Sequence, residues 1–293
     1  MGRVIDGKQV AAKIRQELKD EVTKLAKRGI TPGLATVLVG EDPASQVYVR
    51  MKERACQEVG ITSREIRPPA DIPQEALIEQ IEKLNRDPAI HGVLIQLPLP
   101  RHLDFQAVAE AIAPKKDIDC IHPENLGKLL AGGATSSTYS ALRAREDLFL
   151  PATSQAVMEL LLAYRVDLKG KEVVVGGGMV GLPLAVLLLR EGLSTVTVCD
   201  RYTPDLSAVT READILVVAA GVPRLVKGEM VKPGAVVIDV GVNRLEEGLV
   251  GDVDFDQAKE VAGFITPVPG GVGPMTITML LRNTVASAKA HAD

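Results

Sequence analysis

The chain has 293 residues, which is enough for two domains of ordinary size, each with its own core. Hydrophobic residues make up 46% and charged residues 25%, so the composition excludes disordered, collagenous and fibrous coiled-coil proteins. A formal net charge of -4 offers no general attraction for nucleic acid or anionic lipid.

The sequence also lacks the features of membrane, secreted and zinc-binding proteins. No apolar run approaches the ~20 residues that span a bilayer, and the first residues lack a signal-peptide core. The three cysteines form no C-x-x-C pair, and the four histidines lack the spacing of zinc ligands. We therefore expect a cytoplasmic protein with no membrane or nucleic-acid partner, no disulfide and no metal.

The N-terminal part, residues 1–120, alternates short apolar runs with segments of helical periodicity. This alternation predicts an α/β domain with parallel strands. Strands are expected at 34–39, 61–67 and 92–97, and helices at 6–28, 43–59 and 74–86.

Tyr48 and Lys52 lie one turn apart on the second of these helices. Asp42 and Pro43 are residue types favoured at the N-cap and at the first helical position, so the helix is predicted to begin there. Positions i and i+4 share a face, which directs the phenol and the amine toward the same cleft. Taken alone, the pattern is common, and a solvated lysine beside a half-buried tyrosine is the ordinary alternative.

The C-terminal part, residues 151–273, contains four valine-rich runs, at 172–175, 195–198, 215–218 and 235–240. They predict a Rossmann-type, doubly wound parallel sheet. Residues 121–150 have loop composition and are interpreted as a linker between the domains. A last helix, within 274–293, is expected to pack back on the N-terminal domain.

A glycine-rich loop follows the first of these strands and opens a helix, the context in which G-x-G-x-x-G binds a dinucleotide. In that interpretation Gly176 permits the tight turn, Gly178 lets the backbone approach a pyrophosphate, and Gly181 allows close helix packing. The alternative is a glycine-rich turn without a ligand. The candidate cofactor-binding residues are Gly176, Gly177, Gly178, Met179, Val180 and Gly181.

Asp200 ends the next strand, where a Rossmann domain carries the carboxylate that binds the adenosine ribose. A carboxylate there repels a 2′-phosphate, so NAD is favoured over NADP. Two alternatives stay open: Asp200 is a solvated loop residue, or the adjacent Arg201 turns toward a phosphate.

Four ordered segments, 40–52, 92–100, 116–119 and 266–276, closely resemble the signatures of the bifunctional methylenetetrahydrofolate dehydrogenase/methenyltetrahydrofolate cyclohydrolase family. Segments 237–244 and 251–253 add further agreement. The resemblance implies oxidation of 5,10-methylenetetrahydrofolate by a nicotinamide dinucleotide and hydrolysis of the product to 10-formyltetrahydrofolate. It also implies a homodimer whose folate lies in a cleft between two α/β domains.

The resemblance assigns roles to individual residues. Lys52 matches the lysine that changes protonation state during hydrolysis, Gln96 would hold its amine, and Tyr48 would orient substrate and lysine. Asp119 would anchor the pterin, whereas Asp117 is interpreted as a structural turn carboxylate. Pro269, Gly270 and Gly271 would form a wall of the folate cleft, although their composition is also typical of a turn. The backbone at Val242 would contact the cofactor.

The chain also departs from the family pattern. Its glycine loop is one residue shorter and lacks the Arg-Ser pair that helps NADP-dependent relatives hold the 2′-phosphate, which favours NAD although the family more commonly uses NADP. Cys120 replaces a glycine beside Asp119, and segment 151–156 lacks a proline and a glycine that relatives have. Loop 132–149 is longer than the connection in relatives. It is interpreted as a dimer contact, as a lid or as a loop with no specific role. Two alternatives therefore remain: a cyclohydrolase with an altered nucleotide site, and a non-catalytic folate- or nucleotide-binding protein.

Overall fold

The structure, a computed structural model, describes residues 1–131, 138–145, 148–192, 194–246 and 248–291. These residues form two compact units. Unit 1 contains the described residues of Met1–Ala12, Gly132–Arg143 and Thr153–Thr276. Unit 2 contains Lys13–Ala131 and the described residues of Ala144–Ala152 and Ile277–Asp293. No helix in the described part of the chain combines the length and apolarity needed to cross a membrane.

Strands and helices alternate along most of the chain. The strands are β1 (Arg3–Val4), β2 (Gly33–Val37), β3 (Thr62–Ile66), β4 (Gly92–Ile95), β5 (Glu172–Gly176), β6 (Thr195–Cys199), β7 (Ile215–Val218), β8 (Val236–Asp239), β9 (Asn243–Leu245), β10 (Gly248–Val250) and β11 (Phe264–Ile265). The α-helices are α1 (Gly7–Ala26), α2 (Pro43–Val59), α3 (Gln74–Arg86), α4 (Phe105–Glu110), α5 (Pro123–Ala131), α6 (Tyr139–Arg143), α7 (Ala152–Ala163), α8 (Gly178–Gly192), α9 (Leu206–Glu212), α10 (Phe255–Val261) and α11 (Val272–Ala290). Short 3-10 turns lie at Pro114–Lys116 and Gly228–Met230.

Unit 2 is built on a three-stranded parallel sheet in the order β3-β2-β4. Strand β2 is buried along its whole length because helices cover the sheet, as its unbroken apolar run predicts. Helix α2 begins where Asp42 accepts a hydrogen bond from the Ser45 N–H at 2.7 Å, and it ends at Gly60, whose φ of 87° is left-handed. The predicted ends of this helix are confirmed.

Unit 1 is built on a six-stranded sheet in the order β1-β11-β8-β7-β5-β6, in which every pairing is parallel. Strand β5 lies between β6 and β7, so the chain crosses to one side of β5 and then to the other. This reversal of strand order creates a crevice at the carboxyl ends of the strands, the usual ligand site in an open α/β sheet. The predicted doubly wound sheet is confirmed.

The unit boundaries differ from the predicted 1–120 domain at the N-terminus. Residues Met1–Ala12 belong to unit 1 because β1 adds to the edge of the larger sheet beside β11. A two-residue strand has too little pattern to be recognised in the sequence. At the other end of the chain, α11 brings Asn283 into unit 2, where its Nδ2 donates to the carbonyls of Ile118 and Leu150 at 2.7 and 3.1 Å.

Segment 121–150 contains helices as well as the loop that its composition predicts. It contains α5 and α6, and the interpretation as an irregular linker is wrong for these residues. Contacts with other elements stabilise both helices: Asn125 Nδ2 donates to Asp117 at 2.8 Å, and Arg143 pairs with Glu159 at 2.7 Å. Residues 132–137 and 146–147 of the long loop lie outside the described residues.

The cap of α2 gives a stability prediction. Replacing Asp42 with Ala leaves the Ser45 N–H without its side-chain acceptor and should lower the free energy of unfolding by about 1 kcal/mol in urea titrations. Glu41→Ala, at the neighbouring exposed position, is the control and should change it little. Equal stability of the two variants would contradict the assigned cap.

Candidate active site

Lys52 and Gln96 form a buried polar pair in unit 2. The Lys52 ammonium donates to Gln96 Oε1 at 2.6 Å, and only 9% of Lys52 is exposed. Gln96 directly follows β4, its backbone N–H donates to Val37 O at 2.9 Å, and its Nε2 donates to Leu97 O at 2.8 Å. These contacts fix the amide oxygen toward the amine, so the alternative of a solvated lysine is excluded.

The electrostatics of this pair involve Asp119. Burial lowers the pKa of Lys52 to about 8, although the negative charge of Asp119 opposes the shift. Burial likewise raises the pKa of Asp119 to about 6, helped by the charge of Asp117 and opposed by that of Lys52. Both groups therefore change protonation state within about a unit of neutral pH, as acid–base catalysis requires.

Tyr48 precedes Lys52 by one turn of α2 and is partly buried. Burial raises the pKa of its phenol, so the hydroxyl stays protonated at neutral pH and is available both to donate and to accept hydrogen bonds. The structure thus brings Lys52 into contact with Gln96 and within electrostatic reach of Asp119, and Tyr48 lies one turn before Lys52 on the same helix.

Asp117 and Cys120 shape the turn that carries Asp119. The buried Asp117 carboxylate accepts hydrogen bonds from the N–H groups of Ile121 and His122 at 3.0 and 2.9 Å, in keeping with a structural role. Cys120 is buried with a φ of 55°, a left-handed conformation that costs a side-chain-bearing residue roughly 1–2 kcal/mol. Cys120 therefore replaces the family's glycine at a position whose left-handed backbone glycine adopts without this conformational cost.

Unit 1 contains a cavity of about 780 Å³ at the switch point of its sheet. The three glycines 176–178 form one wall, Asp200 and Arg201 a second, and Ala219, Ala220 and Val222, directly after β7, a third. The volume falls within the range of small-molecule and cofactor pockets.

The glycine loop has the geometry that its pattern predicts. Gly178 begins α8 with a φ of 85°, and a Cβ there would meet no atom within 4 Å, which leaves its backbone open to a ligand. A Cβ at Gly181 would lie 1.6 Å from Gly176 O, so α8 can pack this closely against the end of β5 only with glycine at position 181. Met179 and Val180 occupy the first turn of α8, and the cavity wall is formed by the three preceding glycines.

Asp200 and Arg201 occupy the turn after β6. Asp200 Oδ1 accepts a hydrogen bond from the Tyr202 N–H at 2.8 Å. The Arg201 guanidinium lies 4.8 Å from the centroid of the Tyr202 ring and donates to its hydroxyl at 2.9 Å. Tyr202 therefore holds the arginine at the cavity wall, a contact that the sequence did not indicate.

The other predicted site residues also lie in unit 1. Val242 is 42% exposed, between β8 and β9. Pro269, Gly270 and Gly271 lie before α11, where Gly270 O accepts a hydrogen bond from the Gly7 N–H at 3.0 Å. These residues thus belong to a different unit from Lys52.

Comparison with known proteins assigns the family. The model of the "Tetrahydrofolate dehydrogenase/cyclohydrolase, catalytic domain" matches residues 5–119, and that of the "Tetrahydrofolate dehydrogenase/cyclohydrolase, NAD(P)-binding domain" matches residues 151–292. The chain belongs to this family. The first match covers Tyr48, Lys52, Gln96 and Asp119, and the second covers the 780 Å³ cavity. The predicted family, fold class and nicotinamide cofactor are confirmed.

The similarity to individual relatives extends over almost the whole chain. The bifunctional protein FolD of Geotalea uraniireducens is 54% identical over 292 residues, which are 99% of both chains. The crystal structure of FolD methylenetetrahydrofolate dehydrogenase/cyclohydrolase from Campylobacter jejuni is 47% identical, with a TM-score of 0.91 and 99% of each chain covered. The Trypanosoma brucei enzyme, solved with NADP and an inhibitor, is 44% identical, with a TM-score of 0.90 and coverage of 99% of this chain and 98% of that one.

The coupling of Lys52 to Asp119 gives a direct test of the site. Asp119→Asn removes a negative charge that favours the ammonium form, so the pKa of Lys52 should fall below about 8. NMR titration of isotopically labelled lysine side chains measures this value. Glu53→Gln, an exposed neighbour on α2, is the control, and an unchanged Lys52 pKa in Asp119→Asn would contradict the coupling.

Proposed function

We propose that this protein oxidises 5,10-methylenetetrahydrofolate with a nicotinamide dinucleotide and hydrolyses the 5,10-methenyl product to 10-formyltetrahydrofolate. The observation that carries the proposal is the buried Lys52–Gln96 pair, with a lowered lysine pKa, in a chain that also has a dinucleotide cavity. A protein that only bound folate or nucleotide would have no use for a desolvated amine of this kind.

The oxidation step needs alignment more than acid–base chemistry. The hydride leaves a carbon flanked by two nitrogens, whose lone pairs delocalise the resulting positive charge. When bound, the dinucleotide supplies the hydride acceptor. Residues 176–181 would hold its pyrophosphate at the start of α8, and the backbone at Val242 and the segment Pro269–Gly271 would position the reactants.

The hydrolysis step needs a proton acceptor. Water adds to the methenyl carbon, and neutral Lys52 takes the proton that the water loses. The adduct then forms the formyl group as its bond to N5 breaks and N5 gains a proton, so the reaction releases one proton in total. Gln96 Oε1 keeps the amine in place in both protonation states because either state has an N–H to donate.

Asp119 and Tyr48 hold the substrate in this proposal. The donor-rich edge of the pterin is a suitable partner for the two oxygens of a carboxylate, and Asp119 carries its charge above a pH of about 6. The Tyr48 hydroxyl stays protonated and orients the folate next to the Lys52 amine. The homodimer implied by the family resemblance stays a prediction.

Substitution of Lys52 tests the catalytic proposal. Lys52→Met keeps most of the side-chain volume but removes the proton acceptor, so the rate of methenyltetrahydrofolate hydrolysis should fall about 10²-fold or more. Folate binding, measured by calorimetry, should persist. Lys13→Met, at an exposed position of α1, is the control. Catalysed hydrolysis that Lys52→Met leaves unchanged would contradict the role of Lys52, and no hydrolysis above the uncatalysed rate in the unsubstituted protein would favour a binding protein.

We also infer that the cofactor is NAD rather than NADP. The carboxylate of Asp200 lies at the cavity wall where a 2′-phosphate would be repelled, and the short glycine loop lacks an Arg-Ser pair to compensate. Arg201 is already engaged with the Tyr202 ring and hydroxyl.

Parallel initial-rate assays with the two dinucleotides test this preference. The value of kcat/KM should be at least about tenfold higher with NAD, a difference of 1.4 kcal/mol, and Asp200→Ser should narrow the gap by removing the repulsion. A preference for NADP that Arg201→Gln abolishes would overturn the inference. Hydrolysis without oxidation by either dinucleotide would identify a protein with cyclohydrolase activity only.

A further inference from the structure

Two segments that agree with the family pattern, 237–244 and 251–253, contain acidic residues that the proposed reaction does not use. The structure shows that they carry two buried carboxylates, Asp239 and Asp252, which are 3% and 0% exposed. Buried carboxylates are costly unless hydrogen bonds compensate for the lost water. Their partners therefore indicate what they do.

Asp252 holds the backbone that forms one wall of the dinucleotide cavity. Its Oδ2 accepts hydrogen bonds from the N–H groups of Ala220 and Gly221 at 2.6 and 2.8 Å. Ala220 and Val222 both line the cavity, whereas Asp252 does not. The carboxylate thus lies behind the wall and fixes its peptide groups from outside.

The same two carboxylates also hold the two residues that flank Val242, one through its backbone and the other through its side chain. Asp252 Oδ1 accepts a hydrogen bond from Asn243 Nδ2 at 2.8 Å, and Asp239 Oδ1 accepts one from the Gly241 N–H at 3.0 Å. A Cβ at Gly241 would lie 2.1 Å from Asp252 Cγ, so the close packing of this turn on the carboxylate requires glycine.

Asp239 in turn fixes Asp252. Its Oδ1 accepts a hydrogen bond from the Asp252 N–H at 3.0 Å, and its Oδ2 accepts one from the Val253 N–H at 2.9 Å. Asp239 itself is held because its N–H donates to Thr266 Oγ1 at 2.7 Å. The ends of β7 and β8 and the start of the β9–β10 hairpin are thereby joined through two side chains.

We propose that Asp252, held in place by Asp239, is a positioning residue for the dinucleotide: it sets the backbone of residues 220–222 against the cofactor without touching it. This inference rests on the proposed function because it takes the cavity of unit 1 as the dinucleotide site. Asp239 ends β8, and the N–H groups that Asp252 holds follow β7, so both carboxylates act at the carboxyl ends of parallel strands, where an open α/β sheet binds its ligand.

The substitution that tests the proposal is Asp252→Asn, which keeps the shape of the side chain. An amide has only one acceptor oxygen, so its NH₂ group must face either the two wall N–H groups or the Asn243 amide. The Kd for the dinucleotide, measured by calorimetry, should rise about tenfold or more. In the dehydrogenase assay the KM for the dinucleotide should rise more than kcat falls.

Two further variants separate positioning from general stability. Asp256→Asn, an exposed carboxylate four residues along the chain, is the matched control and should bind dinucleotide normally. Asn243→Ala removes a single contact with Asp252 and should weaken dinucleotide binding by a smaller factor. The cyclohydrolase rate without dinucleotide reports whether the Lys52 site of unit 2 is intact, and thermal unfolding reports the stability of each variant.

Unchanged dinucleotide Kd in both Asp252→Asn and Asn243→Ala would overturn the proposal. Parallel losses of dinucleotide binding, cyclohydrolase rate and thermal stability in both variants would overturn it as well, because they would show a purely structural role. The dehydrogenase rate of the unsubstituted protein tests the proposed function itself, so the two ideas fail separately.

Discussion

The contact between Lys52 and Gln96 is the constraint on which the account depends. An ammonium group removed from water is unstable unless it finds an acceptor, and the only acceptor shown for Lys52 in the described residues is the Gln96 amide oxygen at 2.6 Å. An amide stabilises the ammonium less than a carboxylate at the same distance would, so the pKa stays lowered at about 8. Unit 2 thus provides an amine that can lose its proton near neutral pH without losing its position.

Both units use parallel sheets in the same way. In unit 2, Gln96 follows β4, and α2 with Lys52 follows β2, so the carboxyl ends of neighbouring strands bring the pair together. In unit 1, the glycine loop, Asp200 and residues 219–222 follow β5, β6 and β7. Each of these segments directly follows its own strand, and the parallel pairing of the strands places the segments side by side.

The features that the sequence predicts well are those with a local cause. Asp42 and Gly60 mark the ends of α2, the glycines 176–181 follow a strand and open a helix, and the apolar runs locate most of the strands. The family motifs single out Lys52, Gln96 and Asp119, but the lowered pKa follows from a burial that only the tertiary structure shows.

The features that the sequence does not predict depend on distant contacts. The pairing of β1 with β11 joins two-residue strands more than 250 residues apart, which no periodicity reveals. Helices α5 and α6 lie in a segment of loop composition and are stabilised by partners such as Asp117 and Glu159. The network of Asp239 and Asp252 likewise requires knowledge of which backbone N–H groups surround each carboxylate.

The most direct test of the central claim is the pH dependence of methenyltetrahydrofolate hydrolysis under saturating substrate. If neutral Lys52 accepts the proton, only the deprotonated fraction is active, so the rate should rise about tenfold per pH unit at low pH. It should level off at or below a pH of about 8, since a bound methenyl cation lowers the lysine pKa further. A rate that is independent of pH between about 5 and 9, or one that keeps rising without a plateau as hydroxide attack would, contradicts the account.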